Sequence, residues 1–272
     1  MTPDSHYLAL PRPGGELEHG YGPRVHLLSF PFPMALLGEL CAESTRQPRF
    51  NQIVNHLYDW LLGEVVSREL PTSQAEIPTR MRVYNEEGVY VGEALDKSQK
   101  VVVAALARAG IVPGLRFFDG LNHLLDPKNV RQDHVFLGRR TDAAGQVVGV
   151  DVAGSKIGGP VDGATVLFPD PMGATGRSLV EVIRLYRDEV PGTPRALIAV
   201  HLIVTPEYLQ RVTEECPEAI VYAIRLDRGL SSPDVLATRP GTRWSEERGL
   251  NDNQYIVPGA GGLGELMNNA WV

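Results

Sequence analysis

The sequence predicts an α/β fold in which a mostly parallel sheet is flanked by helices. Between residues 164 and 224, apolar segments with the length of buried strands alternate with segments of helical periodicity. This strand–helix–strand–helix–strand order is typical of a parallel sheet with right-handed crossovers. The chain has 272 residues, of which 43% are apolar, so it can form the core of one large domain.

The apolar pattern defines the individual elements. A helical stripe runs through residues 49–67 and predicts an amphipathic helix there. Further helices are predicted at 114–125, 179–190 and 206–215. The predicted strands are 100–106, 134–137, 147–152, 164–168, 196–204 and 219–224. The second and third of these strands form a pair joined by the polar turn 141–146.

Two stretches fall outside this pattern. Residues 1–24 are polar and rich in Gly and Pro, so we expect a flexible N-terminal arm that orders only where something packs on it. Residues 228–246 are polar and contain Pro233 and Pro240, which predicts an inserted loop. Residues 25–272 are otherwise expected to form a single domain.

The junction after the strand at 164–168 carries most of the functional information. The strand ends at Asp170, and a loop with Gly173 and Gly176 leads into a helix. Consecutive backbone N–H groups in such a loop, together with a helix N-terminus, favour a phosphate group. Ser178 adds a hydroxyl donor, and the Asp170 carboxylate suits the two hydroxyls of a ribose.

Two common nucleotide-binding motifs do not fit this loop. No Lys follows Gly176, so the loop is not GxxxxGK[ST], and its glycine spacing is not GxGxxG. An ordinary strand–turn–helix junction with Ser178 as a cap remains an alternative interpretation.

Four blocks of this sequence resemble the uracil phosphoribosyltransferase family. Residues 170–178 read DPMGATGRS, which is similar to the family's DPMLATGGS loop. Residues 107–111 (ARAGI) resemble its LRAGL block, and residues 248–259 resemble its GLN…YIVPG base-recognition block. Residues 44–46 (STR) are similar to its N-terminal STxxRF region. The resemblance covers residues 25–269 and implies a phosphoribosyltransferase-like fold with a C-terminal base-binding segment.

The resemblance implies that a nucleobase nitrogen displaces pyrophosphate from phosphoribosyl pyrophosphate, which yields a nucleoside monophosphate. Asp170 and Arg108 are the expected catalytic residues, with Asp170 on the ribose hydroxyls and the guanidinium on pyrophosphate oxygens. The expected donor-binding residues are Arg108, Arg139, Asp170, Pro171, Met172, Gly173, Ala174, Thr175, Gly176, Arg177 and Ser178. Of these, Ala174 to Ser178 bind the 5′-phosphate.

The base-binding residues that the resemblance implies lie near the C-terminus. They are Tyr255, Ile256, Gly261, Gly262 and Leu263, and main-chain groups among them read uracil. Other interpretations stay open at this point. Arg108 and Arg139 suit ion pairs at the end of the sheet, Tyr255–Gly259 suits an edge strand, and Tyr255 suits a packing role.

The sequence departs from the family's pattern at two site positions. Gly262 stands where the family has an Asp that binds the donor, and Glu265 falls at the position of the family's next Asp. A glycine supplies no carboxylate, so we expect weaker binding of the donor or metal. Arg177 replaces a glycine of the family's loop and either points away or adds a cation to the phosphate site.

Three functions are compatible with these features. The first is an active enzyme that forms UMP from uracil in pyrimidine salvage. The second is a catalytically weak sensor that binds the donor or a uridine nucleotide. The third is an enzyme of the same class that uses a different base. Mg²⁺ is the implied cofactor, held through substrate phosphates rather than by protein ligands, and a homodimer is the implied assembly.

Charge and composition argue against other classes of protein. The net charge of −7 and the absence of a helix-turn-helix pattern disfavour a nucleic-acid partner. No apolar run reaches membrane-spanning length and the N-terminus does not resemble a secretory signal, so we expect no membrane partner. The only cysteines are Cys41 and Cys216, which fits a reducing compartment, and the cytoplasm is the expected location.

Overall fold

The computed structural model describes residues 16–141 and 147–271. Its strands are β1 (Val25–Leu27), β2 (Thr72–Pro78), β3 (Val89–Leu95), β4 (Val101–Ala107), β5 (Val130–Thr141), β6 (Val147–Lys156), β7 (Thr165–Pro169), β8 (Met172–Gly173), β9 (Ala196–Val204) and β10 (Ile220–Leu226). Its α-helices are α1 (Pro31–Cys41), α2 (Arg49–Glu69), α3 (Ile111–Leu124), α4 (Arg177–Arg184), α5 (Pro206–Glu215), α6 (Pro233–Leu236) and α7 (Leu263–Asn268).

Eight strands form the main sheet, and their order confirms the predicted fold class. The order is β1, β10, β9, β7, β4, β5, β6, with β8 added beside β9. Every pairing is parallel except that of β5 with β6. The predicted pairing of strands 134–137 and 147–152 is correct, and both strands are longer than predicted. The sheet is therefore mostly parallel, and β6 forms an antiparallel edge.

Both faces of the sheet are covered, and the sequence of β4 reflects this. Val101 and Val103 pack in the core that includes α2 and α3, whereas Val102 and Ala104 pack in the core that includes α4 and α5. Because successive side chains of a strand point to opposite faces, a strand covered on both sides must be apolar throughout. This explains why the strand at 100–106 is a continuous apolar run.

Two of the predicted helices match the structure closely. The stripe at 49–67 corresponds to α2, and α5 has the predicted bounds. The start of α5 is fixed locally, because the Thr205 side chain accepts a hydrogen bond from the Tyr208 N–H and Pro206 occupies the first turn. The predicted helix 114–125 begins earlier, at Ile111. The stripe at 179–190 includes α4 and then a π-helical turn over Leu185–Glu189.

Several elements lacked a sequence signal. β1 has three residues and α7 six, which is too short for periodicity to identify. The β2–β3 hairpin is antiparallel and packs few side chains in the core: β2 is almost entirely exposed, and the one buried residue of β3 is Gly92. Its sequence therefore shows no regular apolar alternation. In the described part of the chain, no helix combines the length and apolar character that a membrane span requires.

The described part of the N-terminal arm packs on the predicted insertion. Tyr21 is buried, and its ring contacts that of Trp244 edge to face at 4.9 Å between centroids. The Gly20 N–H donates to the Pro240 carbonyl at 2.8 Å. The insertion is not wholly loop, since it contains α6 and the 3-10 turn Trp244–Glu246. Residues 1–15 lie outside the described residues, so flexibility there remains a prediction.

Glu247 holds these two segments together. Its side chain is fully buried and accepts hydrogen bonds from the Tyr21 hydroxyl, from Arg228 Nη1 at 2.8 Å and from the Gly241 N–H at 2.9 Å. A buried carboxylate that pairs with a guanidinium and two neutral donors is fully satisfied. The packing of residues 16–24 therefore depends on a buried polar cluster as well as on the aromatic contact.

We expect Glu247→Ala to lower the free energy of unfolding by about 3 kcal/mol, because it leaves the Arg228 guanidinium, whose side chain is 12% exposed, without its carboxylate partner. Urea denaturation followed by circular dichroism measures this loss. The neighbouring Glu246→Ala is the matched control, since Glu246 is exposed and pairs with Arg243 at the surface. Equal midpoints for the two variants would contradict the role given to Glu247.

Candidate active site

Three segments meet at the carboxyl edge of the sheet. β4 and β7 are adjacent and parallel, so the segments that follow them, which begin at Arg108 and Asp170, emerge at the same edge. The C-terminal segment reaches this edge through α7. A Cβ on Gly264 would lie 3.6 Å from the Ala109 side chain, so α7 packs on the segment after β4. In α/β sheets, ligands bind in crevices at this edge.

In the loop after β7, two carbonyl groups accept hydrogen bonds from the β9–α5 junction. Thr205 donates from its backbone N–H to the Gly173 carbonyl at 3.1 Å and from its hydroxyl to the Ala174 carbonyl at 2.6 Å. Gly176 adopts φ = +78°, a left-handed conformation that favours glycine, and α4 begins directly after it. The β9–α5 junction therefore fixes the loop on one side.

The amides of the loop point to the other side. The N–H groups of Ala174, Thr175 and Gly176 donate to no atom in the described part of the chain. They lie directly before the N-terminus of α4, where the helix dipole adds a partial positive charge. The Met172 N–H is different, because it donates to Asp170 Oδ1 at 3.2 Å. Unpaired amides before a helix N-terminus are an arrangement that favours an anion, and Met172 does not contribute one.

A cavity of about 100 Å³ lies against this loop. The predicted donor residues that line it are Asp170, Met172, Ala174, Thr175, Gly176 and Ser178. Three predicted residues of the loop itself, Pro171, Gly173 and Arg177, do not line it, and neither does Arg108. Pro171 and Gly173 are buried within the loop, and Arg177 is exposed, so its cation lies outside the cavity.

Asp170 has an unusual electrostatic environment. Burial raises the pKa of its carboxyl group to about 6, although the Met172 N–H partly opposes this by stabilising the anion. No cationic side chain in the described part of the chain forms an ion pair with it. Its oxygens therefore remain available to accept hydrogen bonds from a ligand.

Arg108 is held by the C-terminal segment. Its Nη2 lies 3.3 Å from Glu265 Oε1, and its Nη1 donates to the Ala270 carbonyl at 3.1 Å. In the structure, Arg108 therefore forms an ion pair, which is one of the two interpretations that the sequence left open. Both side chains of the pair are about one-third exposed, so the ion pair contributes little to stability. A ligand could therefore compete with Glu265 for the Arg108 guanidinium. Arg139 lies in β5, and its side chain lies outside the described residues.

Two carboxylates anchor the C-terminal segment, the partly buried Glu207 and the buried Asp227. Glu207 accepts the Gly249 N–H at 2.9 Å, and Asp227 accepts the Gly259 N–H at 2.8 Å. Asp227 also accepts two hydrogen bonds from the Arg225 guanidinium, and this two-point ion pair fixes the orientation of Arg225. These contacts fix both ends of the predicted base-recognition block.

The predicted base-binding residues differ in exposure. Ile256 and Leu263 are buried, and Ile256 forms a single antiparallel bridge with Leu250 rather than part of an edge strand. Tyr255 is 60% exposed, so it does not fill the core. Gly261 is exposed and has φ = +73°.

Gly262 is crowded by an acidic side chain. A Cβ at this position would lie 2.3 Å from Glu265 Oε2, so the Glu265 carboxylate fills the space that a side chain at 262 would enter. The position lacks its own carboxylate, yet one lies beside it and pairs with Arg108.

His201 and Tyr208 also line the cavity, and the sequence analysis missed both. His201 lies on β9, where it is the one strongly polar residue in the run ALIAVHLIV. A polar residue in a strand buried on both faces was a usable signal, because such a group needs a partner inside the protein.

Comparison with known proteins agrees with this geometry. The family model for uracil phosphoribosyltransferase matches residues 30–242. Proteins named uracil phosphoribosyltransferase from Kocuria rhizophila and Pyrobaculum islandicum are each 30% identical to this chain. The Kocuria alignment covers 90% of this chain and 97% of that protein, and the Pyrobaculum alignment covers 75% and 82%.

A solved structure extends the agreement to the fold. The AQ2163 protein from Aquifex aeolicus superposes with a TM-score of 0.67 at 22% identity, over 91% of this chain and 99% of that one. The strand-end carboxylate, the amide-lined loop and the match over most of the length lead to one assignment. This chain belongs to the uracil phosphoribosyltransferase family.

Proposed function

We propose that this chain transfers the 5-phosphoribosyl group of phosphoribosyl pyrophosphate to uracil, giving UMP and pyrophosphate. The observation that carries the proposal is the loop from Asp170 to Ser178. Its unpaired amides at 174–176 suit the 5′-phosphate, and the carboxylate of Asp170, which lacks a cationic partner, suits the ribose hydroxyls.

The reaction needs positioning more than covalent chemistry by the protein. The uracil nitrogen forms a bond to the ribose C1 as the bond from C1 to the pyrophosphate oxygen breaks, and the ring nitrogen releases its proton. An oxocarbenium-like transition state places positive charge on the sugar and negative charge on pyrophosphate. Asp170 lies on the sugar side in this proposal, and Arg108, with Arg139, binds the pyrophosphate.

Binding of the donor in this way requires Arg108 to exchange partners. Its present partner Glu265 is about one-third exposed and 3.3 Å away, so the pair is weak. Pyrophosphate offers more charge and more oxygens to the guanidinium than one carboxylate does. The acceptor lies against the C-terminal segment, where main-chain groups at Ile256 and at 261–263 recognise uracil and Tyr255 lies at the rim.

Magnesium enters this proposal with the substrate. Within residues 16–141 and 147–271, no three His, Cys, Asp or Glu side chains cluster to hold a metal ion. The described residues fit an ion that binds mainly through the phosphates of phosphoribosyl pyrophosphate, because Mg²⁺ typically uses substrate oxygens and few protein ligands. The ion would neutralise charge on the departing pyrophosphate, and Asp170 is the carboxylate in the cavity that is available to it.

A catalytically weak sensor is the second candidate, and Gly262 is the feature that favours it. A site without the family's carboxylate at 262 binds the donor without the full set of groups for turnover. The neighbouring Glu265 carboxylate weakens this alternative, because it brings a negative charge to the same place. We therefore rank the active enzyme first.

A homodimer is the assembly we propose, and the β2–β3 hairpin supports it. Six of the seven β2 residues are exposed, and residues 79–87 between the two strands are exposed throughout. It carries an apolar patch that consists of Ile77, Met81, Val83, Tyr84 and Tyr90. An exposed patch of this kind typically marks an interface, and a second copy of the chain is the proposed occupant.

We expect pyrophosphate release that requires the donor, magnesium and uracil together. A coupled pyrophosphate assay with a panel of free bases tests this, with UMP identified as product by chromatography. Donor binding without turnover on any base would replace the first candidate by the sensor. Turnover with another base only would retain the enzyme class and correct the acceptor.

We expect Asp170→Asn to weaken binding of the donor about tenfold or more, because the amide replaces an anionic acceptor with a weaker neutral one. Calorimetric titration with the donor measures it. The exposed Asp162→Asn, at the opposite edge of the sheet, is the control and should leave affinity unchanged. Equal affinities for both variants would contradict the assignment of Asp170.

The same variant has an expected effect on stability. The pKa of Asp170 is about 6 in the folded chain and lies above its ordinary value, so ionisation of this carboxyl group opposes folding above pH 6. We therefore expect Asp170→Asn to raise the melting temperature at pH 8. The gain should shrink as the pH falls below 6, because the native carboxyl group is then protonated.

We expect a double replacement of Val83 and Tyr84 by Ser to convert a dimer into a monomer, because it removes the two most exposed apolar side chains of the hairpin patch. Sedimentation velocity measures the assembly. Phe32→Ser is the control, since Phe32 is 61% exposed but lies on α1. A monomeric native chain, or a dimer that persists in the double variant, would contradict the hairpin interface.

A further inference from the structure

His201 and Tyr208 form a buried polar pair beneath the loop after β7. Both side chains are at most 2% exposed. His201 Nδ1 lies 2.5 Å from the backbone carbonyl oxygen of Asp170, and His201 Nε2 forms a short hydrogen bond with the Tyr208 hydroxyl. A chain of two hydrogen bonds therefore connects α5, through β9, to the residue whose carboxylate faces the cavity.

The direction of this chain follows from its ends. A carbonyl oxygen only accepts hydrogen bonds, so Nδ1 of His201 must carry the ring proton. Burial lowers the pKa of His201 to about 4, so the ring is neutral and Nε2 is an acceptor. Burial also raises the pKa of Tyr208 well above its ordinary value, so its hydroxyl keeps its proton and donates to Nε2. One tautomer of His201 therefore satisfies all three groups.

Tyr208 supports the loop by packing as well. A Cβ on Gly173 would lie 3.0 Å from ring atoms of Tyr208, so the loop backbone at Gly173 passes close to the ring. A Cβ on Gly176 would lie 3.2 Å from the Tyr208 carbonyl oxygen. Tyr208 thus contacts the backbone on both sides of residues 174 and 175, whose amides are unpaired.

We propose that His201 and Tyr208 are positioning residues of the donor site, which set the direction of the Asp170 carboxylate and of the loop amides. His201 acts through the Asp170 carbonyl group, and Tyr208 acts through His201 and through the glycine backbone. This inference rests on the proposed function, because it takes the loop to be the donor-binding segment. It adds two residues whose proposed role is to hold the loop and Asp170 in place rather than to bind the phosphate or the sugar.

The two amide replacements of His201 separate positioning from simple packing. An asparagine amide reaches the position of Nδ1 and retains a donor to the Asp170 carbonyl, whereas a glutamine amide reaches toward Nε2 and does not. We expect His201→Gln to weaken binding of the donor about tenfold, because the Asp170 carbonyl loses its partner. We expect His201→Asn to stay within about threefold of the native affinity. Calorimetric titration with phosphoribosyl pyrophosphate and magnesium measures both.

Tyr208→Phe tests the second link with a matched control. It removes the hydroxyl but keeps the ring under Gly173, so we expect donor affinity to fall about threefold. Tyr222 is as buried overall as Tyr208, but its hydroxyl bonds to Glu69 away from the cavity, so Tyr222→Phe should leave donor affinity unchanged. In the active enzyme, the KM for the donor should rise in the first variant more than kcat falls.

Each outcome has a distinct meaning. A native chain that does not bind the donor overturns the proposed function and the inference with it. A native chain that binds the donor, with His201→Gln and His201→Asn indistinguishable or with Tyr208→Phe equal to Tyr222→Phe, overturns the positioning role alone. If His201→Gln does not fold, the comparison of Tyr208→Phe with Tyr222→Phe decides the question, and thermal unfolding of every variant reports its folded fraction.

Discussion

The site depends on how the backbone between β7 and α4 divides its hydrogen bonds. The carbonyls of Gly173 and Ala174 are satisfied from behind by Thr205, and the carbonyl of Asp170 is close to His201. The C=O and N–H of one trans peptide unit point in opposite directions, so the amides of Ala174 and Thr175 are turned away from Thr205, and both residues line the cavity. Buried carbonyl groups without hydrogen-bond partners would destabilise the folded state. The β9–α5 junction supplies those partners, and this allows the loop to keep its amides unpaired.

The charged groups at this edge are arranged in two different ways. Asp170 is partly buried and forms no ion pair within the described part of the chain, and burial raises the pKa of its carboxyl group. Arg108 is paired with Glu265, but at the surface, where such a pair contributes little. Ionisation of Asp170 therefore costs free energy in the folded chain. Arg108 is held by Glu265, a partner that a more highly charged ligand can replace.

The departures from the family's pattern fall in the loop after β7, at Arg177, and in the C-terminal segment, at Gly262. Arg177 is exposed and does not line the cavity. Gly262 lies beside the Glu265 carboxylate, and the two positions together keep one acidic group near Arg108. Asp227 and Glu207 fix the backbone of this segment independently of either residue.

The sequence by itself determined the parallel sheet, most of its strands, the bounds of α5 and the position of the glycine-containing loop between β7 and α4. These features depend on local pattern, since a strand buried on both faces must be apolar and a glycine-containing turn before a helix exposes amides. Only the tertiary structure decided which groups meet at the site. His201, Thr205 and Tyr208 reach the loop because β9 lies beside β7 and β8, and Glu265 reaches Arg108 because α7 packs on the segment after β4. Such contacts join residues far apart in the chain, and no periodicity within one segment encodes them.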